Sequence, residues 1–403
     1  MPRAKQTLVS SFNRNLDLVQ PSAIRAFDNE VSGISDILKL TLGEPDFNVP
    51  EHIKQAAITS IAENDSHYAA SNGTIALRQA ITGFLKDQYE LDYDAGSEVI
   101  VTVGATEAIY TVLTSLLNKG DKVLLPTPIF PLYIPVTLVG GGEPVFIDTS
   151  SNDFILSPEM LRSAIEEHGE SIKAIVLNFP SNPTGVTYSA EEIEALANVL
   201  RETNIVVISD EIYSELTYES THVSMAKYLP EQTILLNGVS KSHAMTGYRI
   251  GFLAGPAELV SKLSLIHQFT ITTATNSAMA AATEALSTDL GRQDTLKMKA
   301  EYKTRRDYIY ETMTSLGFTI PNPKGAFYIF AKIPAGYDQD DFAFARDLAH
   351  NNKLAVIPGS SFGPGGEGYI RLSYAASMTH LQEAMKRLSL YMVANKPNND
   401  LVL

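Results

Sequence analysis

Short apolar runs rich in β-branched residues alternate with amphipathic segments through the middle of the chain. These runs predict strands at 99–103, 122–125, 144–148, 173–178, 204–209, 233–237 and 250–254. The amphipathic segments predict helices at 106–118, 157–168, 189–202 and 256–269. Because continuous apolar strands are separated by helices, we expect an α/β fold with a mainly parallel, seven-stranded sheet buried on both faces.

The pattern changes after about residue 290, where a charged helical periodicity replaces the alternation. A second, smaller α+β domain is predicted from a strand-like run at 326–330, a helix at 341–352 and a strand at 369–374. We assign the large domain to residues 46–288, and the small domain to 1–45 and 289–403. The stretch 395–400 is predicted to be a frayed end.

Composition narrows the possible classes of protein. A chain of 403 residues is too long for one small core, which favours two domains. The net charge of −15 argues against nucleic acid and against an anionic membrane surface as partners. There is no cysteine, no apolar stretch long enough to span a membrane, and no metal-binding spacing among the histidines. We therefore expect a cytoplasmic protein without a metal.

One lysine, Lys241, directly follows a predicted buried strand and lies in a loop of small residues. Lysines usually occupy exposed faces, whereas a desolvated amine is able to act as a nucleophile. Arg249 follows eight positions later and supplies a second cation, which suits a phosphate. An amine nucleophile beside a phosphate site points to pyridoxal phosphate held as a Schiff base.

Asp210 ends the strand predicted at 204–209, and the next strand leads to Lys241. If these strands are neighbours, both side chains emerge at one edge of the sheet, where ligands of such folds bind. A carboxylate there is able to keep the pyridine nitrogen of the cofactor protonated, so that the ring acts as an electron sink. Taken alone, an N-cap aspartate is the simpler interpretation. Tyr213 is either a donor to the cofactor's phenolate oxygen or a half-buried tyrosine.

Two further loops follow predicted strands. In Ser181–Gly185, the Asn182 amide is a candidate donor to the same phenolate oxygen, although such residues are common in turns. In the turn Gly104-Ala105-Thr106, the small residues and the free N–H groups of a helix N-terminus suit a phosphate. Many turns between a strand and a helix have this composition, so the turn alone is weak evidence. The positive charge of Arg249 is what favours a phosphate site here.

Arg371 stands inside the apolar strand predicted at 369–374 and therefore needs a partner. Its fork geometry fits a substrate carboxylate through two parallel hydrogen bonds. An internal salt bridge is the alternative that this segment leaves open.

Taken together, these segments resemble the class I/II aminotransferases, which are fold-type I pyridoxal-phosphate enzymes. The resemblance covers nearly the whole chain and is carried by 42–47, 68–73, 181–185, 209–213, 240–251 and Arg371. Within the family, 180–188 and 209–218 are most similar to bacterial aromatic or N-acetyl-LL-diaminopimelate aminotransferases. The resemblance implies a ping-pong transfer of an amino group from an L-amino acid to a 2-oxo acid such as 2-oxoglutarate.

The resemblance also implies roles for the residues near the cofactor. Lys241 would hold the cofactor and then move a proton at the substrate Cα. Asp210 would pair with the pyridinium, while Asn182 and Tyr213 would contact the phenolate oxygen. The phosphate would be bound by Gly104, Ala105, Thr106, Ser240 and Arg249.

The remaining implied roles concern the substrate and the neighbouring subunit. Phe130 would stack on the cofactor ring. Arg371 would bind the substrate α-carboxylate, helped by Asn182 and by the backbone near Gly43. Tyr68 would reach the phosphate of the neighbouring subunit, which implies a homodimer with shared active sites. The Asn182–Pro183 bond is often cis in relatives.

The sequence departs from the family in two respects. Some relatives carry a phosphate-binding serine three positions before the lysine, where this chain has Gly238, and Ser240 is expected to compensate. No basic residue is recognisable as the partner of a substrate side-chain carboxylate. Selectivity for dicarboxylates and the physiological amino donor therefore stay open.

Three other kinds of protein are alternatives to an aminotransferase. A pyridoxal-phosphate β-lyase or decarboxylase would share all these residues, and a lyase would release pyruvate and ammonia without an acceptor. A nucleotide-binding α/β protein would need a glycine fingerprint that the 104–106 turn lacks. A non-catalytic regulator of the same fold usually carries an appended DNA-binding segment, for which the N-terminal segment gives no evident room.

Overall fold

The computed structural model describes residues 1–396, so the part of the predicted frayed end at 397–400 lies outside the described residues. Its α-helices, numbered α1 to α14, are Gln6–Val9, Ala23–Val31, Glu51–Ala62, Ile75–Tyr89, Gly104–Leu116, Tyr133–Val139, Pro158–His168, Ala190–Arg201, Val239–Ser242, Ala257–Thr270, Asn276–Ser287, Asp289–Ser315, Asp341–Asn352 and Met378–Ala394. Its strands, β1 to β12, are Leu38–Lys39, Val99–Thr102, Lys122–Thr127, Glu143–Asp148, Ile172–Asn178, Val206–Asp210, Thr233–Gly238, Gly251–Ala254, Tyr328–Lys332, Leu354–Ala355, Ile357–Pro358 and Tyr369–Ser373.

The central sheet has seven strands in the order β2-β8-β7-β6-β5-β3-β4. Strand β8 runs antiparallel to both of its neighbours, and the other pairs are parallel. The predicted strands and the mainly parallel sheet are confirmed. The capping box that Ser189 and Glu192 form at the start of α8 fixes the N-terminus of that helix.

Both faces of this sheet are apolar because successive side chains of a strand point to opposite faces. In β3, Val123 and Leu125 join the core that includes α5, whereas Leu124 between them joins the core that includes α7 and α8. Each such side chain contributes roughly 1.5–3 kcal/mol when it is fully buried. The continuous apolar runs in the sequence therefore reflect helices on both sides of the sheet.

A second body of structure is built from the C-terminal part of the chain. Strands β11, β12 and β9 form an antiparallel sheet, and α12, α13 and α14 pack with it in one apolar core. The strand predicted to begin at residue 326 begins at Tyr328, because Ala326 has a φ of +56°, outside the extended region.

The N-terminal segment packs with this second body. Strand β1 pairs in parallel with β10, and Phe27 and Val31 of α2 belong to the same apolar core. The division of the chain near residues 45 and 288 stays a prediction. Among the helices of the described residues, none is long and apolar enough to cross a membrane.

Candidate active site

The site lies where three parallel strands of the central sheet end. Strand β6 pairs with β5 on one side and with β7 on the other. The prediction that the strands leading to Asp210 and to Lys241 are neighbours is therefore confirmed. Asp210 is the last residue of β6, and Lys241 lies in the short helix α9 directly after β7.

The Lys241 side chain is half-buried and lies between two aromatic rings. Its Nζ lies 5.6 Å from the ring centre of Phe327 and 5.8 Å from that of Tyr213, and it donates a hydrogen bond of 2.6 Å to the carbonyl of Gly43. Burial lowers the pKa of Lys241 to about 8. At pH 7 about one amine in ten is then neutral, against fewer than about one in a thousand for an ordinary lysine. The side chain is thus prepared to act as a nucleophile.

Asp210 is a buried carboxylate with two donors. Its Oδ2 accepts a hydrogen bond of 2.5 Å from the Tyr133 hydroxyl, and its Oδ1 accepts one of 3.2 Å from the backbone N–H of Ile212. No α-helix of the described chain begins here, so the N-cap interpretation is wrong. Burial raises the pKa of Asp210 to about 6, against the lowering effect of the Tyr133 hydrogen bond. A cationic partner would stabilise the ionised form.

Arg371 is buried at the other side of the site. Its Nη1 donates to Asn182 Oδ1 at 3.0 Å and its Nη2 donates to the carbonyl of Thr41. The guanidinium carbon lies 4.7 Å from the ring centre of Tyr328 and 4.9 Å from that of Phe362. Among the described residues Arg371 forms no ion pair, so the internal salt bridge is wrong, and its buried Nε has no hydrogen-bond partner there. An anionic ligand would satisfy this charge.

Tyr328 connects these groups and was not predicted from the sequence. Its hydroxyl lies 2.7 Å from the hydroxyl of Tyr213, which is therefore bonded to another tyrosine in this structure. A Cβ at position 43 would lie 2.0 Å from the same Tyr328 hydroxyl, so Gly43 leaves the room that this ring needs. Burial raises the pKa of Tyr213, which keeps its hydroxyl protonated and able to donate.

The predicted phosphate site is built from the first turn of α5 and from Arg249. Gly104 has a φ of +72°, and a Cβ there would lie 2.5 Å from Nη2 of Arg249. A Cβ at Gly251 would lie 2.5 Å from the backbone nitrogen of Ala105, so the turn approaches β8 closely. The free N–H groups of this turn and a guanidinium therefore lie side by side.

The same close packing explains the departure at position 238. Gly238 pairs with Gly251 in the antiparallel register of β7 and β8, and a Cβ at 238 would lie 2.8 Å from the Gly251 Cα. A serine there would require the two strands to separate. Ser240, which was expected to compensate, is buried in α9, and Thr106 lies in the first turn of α5.

Two of the predicted site residues, Phe130 and Tyr68, make no side-chain hydrogen bond with Lys241, Asp210 or Arg371. Phe130 is half-buried, with its ring centre 6.0 Å from that of Tyr133. Tyr68 is 85% exposed and makes no side-chain hydrogen bond with the described residues. The Asn182–Pro183 bond is cis, as the family resemblance predicted. Tyr133 was missed because nothing in its local sequence distinguishes it from a core tyrosine.

Comparison with known proteins agrees with this geometry. Residues 35–388 match the family model described as aminotransferase class I and II. The chain belongs to the class I and II aminotransferases. It is 42% identical over 378 residues to a probable N-acetyl-LL-diaminopimelate aminotransferase of Bacillus subtilis, covering 94% of this chain and 95% of that protein.

Two more relatives of this aminotransferase are named for different substrates. This chain is 37% identical to an aspartate aminotransferase of Pyrococcus abyssi, covering 93% of this chain and 96% of that protein. The crystal structure of an aromatic aminotransferase from Pyrococcus horikoshii superposes with a TM-score of 0.86 at 33% identity, covering 92% of this chain and 99% of that chain.

Class I aminotransferases use pyridoxal 5′-phosphate, and the residues of this aminotransferase fit that group. A buried amine with a lowered pKa suits the aldehyde, and a buried carboxylate suits the pyridine nitrogen. The helix N-terminus beside Arg249 suits the phosphate. Among the described residues the buried Nε of Arg371 has no partner, which leaves a donor for the carboxylate of a substrate.

Proposed function

We propose that this aminotransferase moves the amino group of an L-amino acid, aromatic or similar to N-acetyl-LL-diaminopimelate, to a 2-oxo acid such as 2-oxoglutarate. The reaction would follow a ping-pong mechanism, in which the first 2-oxo acid leaves before the second substrate binds. The observation that carries the proposal is that Lys241 and Asp210 meet at one edge of the central sheet, close to Arg371 of β12, whose Nε lacks a partner among the described residues. The cytoplasmic location stays a prediction from the sequence.

When bound, pyridoxal phosphate supplies an aldehyde for the amine and a ring that accepts electrons from the substrate Cα. The proposal gives Lys241 the covalent attachment and, once displaced, the transfer of a proton at the substrate Cα. Asp210, oriented by Tyr133, would hold a proton on the ring nitrogen. Asn182 and Tyr213 would donate hydrogen bonds to the phenolate oxygen.

Substrate binding is assigned to Arg371, with Asn182 and the backbone at Gly43. Asn182 Oδ1 accepts from Nη1 of Arg371, which fixes the guanidinium plane between the rings of Tyr328 and Phe362. A guanidinium fixed in this way binds a carboxylate with little loss of side-chain entropy. The identity of the amino donor rests on the relatives, whose names differ.

We also propose a homodimer with shared sites, in which Tyr68 contacts the phosphate bound by the neighbouring subunit. Its support is the 85% exposure of Tyr68, whose side chain makes no hydrogen bond with the described residues. Phe130 would stack on the cofactor ring, and Ser240 and Thr106 would complete the phosphate site.

A panel of amino donors with 2-oxoglutarate tests the proposed reaction. We expect catalytic efficiency to be highest for an aromatic amino acid or N-acetyl-LL-diaminopimelate, with one glutamate formed per donor consumed. Pyruvate and ammonia released without any acceptor would instead indicate the β-lyase. Preference for aspartate over every other donor would overturn the proposed substrate class but not the reaction.

Replacing Arg371 with alanine is expected to raise the KM for amino acids by about 100-fold, because a charged hydrogen-bond pair contributes about 1.5–3 kcal/mol. Steady-state kinetics with an amino acid and with the corresponding amine, which lacks the carboxylate, measures the effect. Replacing the exposed Arg346, which pairs with Glu30, is the control and should change neither value. An unchanged KM in Arg371→Ala would assign the side chain to packing.

The lowered pKa of Lys241 predicts how the cofactor-free protein reacts with pyridoxal phosphate. Only the neutral amine attacks an aldehyde, so the rate should rise about tenfold per pH unit below pH 8 and level off above it. Stopped-flow absorbance between pH 6 and 10 measures this dependence. A rate that kept rising up to pH 10 would show an unperturbed lysine.

A further inference from the structure

A buried histidine, His267 of α10, lies behind the phosphate-binding turn and has no role in the proposed function. Its Nδ1 is 3.1 Å from Oε1 of Glu107, and its Nε2 is 2.7 Å from the carbonyl of Ser71. The His267 side chain is fully buried and Glu107 is nearly so. Glu107 stands in the first turn of α5, directly after Gly104–Thr106.

The hydrogen bonds of His267 and Glu107 indicate which of these two side chains carry a charge. A backbone carbonyl only accepts, so Nε2 of His267 carries a proton. Glu107 accepts at the same time from the Thr111 hydroxyl at 2.6 Å and from the backbone N–H of Val103 at 3.2 Å, so both of its oxygens act as acceptors. With a carboxylate at Nδ1, both ring nitrogens of His267 donate, and the ring is an imidazolium.

The pKa of His267 agrees with this geometry. Burial lowers it, but the hydrogen bond and charge of Glu107 and the Ser71 carbonyl raise it, and the net direction is upward. Glu107 is the titratable group that contacts the ring among the described residues, on α5, and the 71–73 segment contributes only the carbonyl.

The position of Glu107 is the reason why this charge matters. Its carboxylate accepts from the N–H of Val103 and so occupies the N-terminus of the helix that is assigned to the phosphate. An uncompensated carboxylate there would repel a phosphate dianion through a medium of low dielectric constant. The imidazolium of His267 neutralises the carboxylate from the side of α10.

We propose that His267 is a positioning residue for cofactor binding, which neutralises Glu107 so that the start of α5 accepts a phosphate. The proposal rests on the phosphate site of the proposed function. It also joins that site to the segment that carries Tyr68, because the second N–H of His267 holds the carbonyl of Ser71, three residues further on. The effect should concern the phosphate group and not the pyridoxal ring.

The test compares pyridoxal phosphate with pyridoxal, which lacks the phosphate, in binding titrations of the cofactor-free protein. The readout is the ratio of the Kd for pyridoxal to the Kd for pyridoxal phosphate. His267→Gln, which keeps a hydrogen-bonding side chain without the charge, is expected to lower this ratio by about tenfold or more. A merely structural defect would weaken both ligands alike and leave the ratio unchanged.

The double variant Glu107→Gln/His267→Gln removes both charges and should restore the ratio to within about threefold of the wild-type value. His52→Gln is the matched control, because His52 also bridges carboxylates, those of Glu284 and Asp294, and should leave the ratio unchanged. A ratio that stays at the wild-type value in His267→Gln, or that stays low in the double variant, overturns the proposal.

Two results separate this proposal from the proposed function. If the wild-type protein binds both ligands equally, the phosphate site itself fails; if only the variants fail to respond, the role of His267 fails. If His267→Gln does not fold, the Glu107→Gln variant tests the role of His267 instead. Without Glu107, burial favours the neutral form of His267, so both charges are lost and the ratio should stay within about threefold of the wild-type value. A ratio raised about tenfold or more would mean that His267 does not neutralise Glu107 in the wild type, and it would overturn the proposal.

Discussion

Replacing Lys241 with alanine is expected to lower kcat by about 10⁴-fold or more, because the variant loses both the nucleophile and the proton carrier. The amine lies between the rings of Phe327 and Tyr213, and no other lysine of the described chain is placed over either ring. The fold should persist, since Lys241 forms no ion pair with the described residues and its removal therefore leaves no partner unpaired. Single-turnover kinetics and the visible absorbance of the bound cofactor measure the two losses separately.

The control for this variant is Lys227→Ala, in which an exposed lysine loses its ion pair with Glu90. It should keep normal turnover, because solvent screens an exposed ion pair and the pair contributes little to stability. Transamination that survived in Lys241→Ala at more than about one per cent of the normal rate would mean that the nucleophile is another residue.

Replacing Asp210 with asparagine should lower kcat by about 10²–10³-fold, because the ring nitrogen loses the charge that keeps it protonated. Asparagine keeps the shape of the side chain and still accepts a hydrogen bond from Tyr133. The loss should therefore appear in kcat, with little change in the KM of the amino acid. Steady-state kinetics with a saturating cofactor concentration distinguishes the two parameters.

The stability of the same variant gives an independent check. The pKa of Asp210 is raised to about 6 in the folded protein, above its ordinary value, so ionisation opposes folding of the cofactor-free protein as the pH rises through 6. At pH 7 to 8 the cofactor-free Asp210→Asn protein should thus have a Tm equal to or above that of the wild type. A strongly lowered Tm would contradict the raised pKa of Asp210. A normal kcat would contradict its electron-sink role.

Substitution of Tyr133 perturbs Asp210 without removing its carboxylate. Tyr133→Phe removes the 2.5 Å hydrogen bond to Asp210 while leaving the carboxylate, so its effect on kcat should be smaller than that of Asp210→Asn. Equal effects of the two substitutions would contradict this expectation, because they would mean that the carboxylate of Asp210 contributes nothing without the Tyr133 hydrogen bond.

Much of the fold was predictable because hydrophobic periodicity is a local property. The seven strands of the central sheet and the helices α5, α7, α8 and α10 lie within a few residues of their predicted ends, whereas α6 between β3 and β4 was not predicted. The edge that holds Asp210 and Lys241 was predictable too, because parallel strands end on the same side. The displaced start of β9 was not, since the positive φ of Ala326 leaves no mark on the apolar pattern.

Other features were decided by contacts between distant parts of the chain. Tyr133 and Asp210 are 77 residues apart, Tyr213 and Tyr328 are 115 apart, and Glu107 and His267 are 160 apart. In their own segments, Tyr133, Tyr328, Glu107 and His267 are indistinguishable from ordinary core or surface residues. Packing alone determines which of them meet.

The sequence by itself determined the order of strands and helices and which charged groups end at the carboxyl edge of the sheet, because periodicity and strand direction are local. Only the tertiary structure decided that Arg371 is held by Asn182 without an ion pair among the described residues, and that His267 faces Glu107. The physical reason is desolvation: a buried charge requires a partner, and the partner is whichever group the fold places beside it.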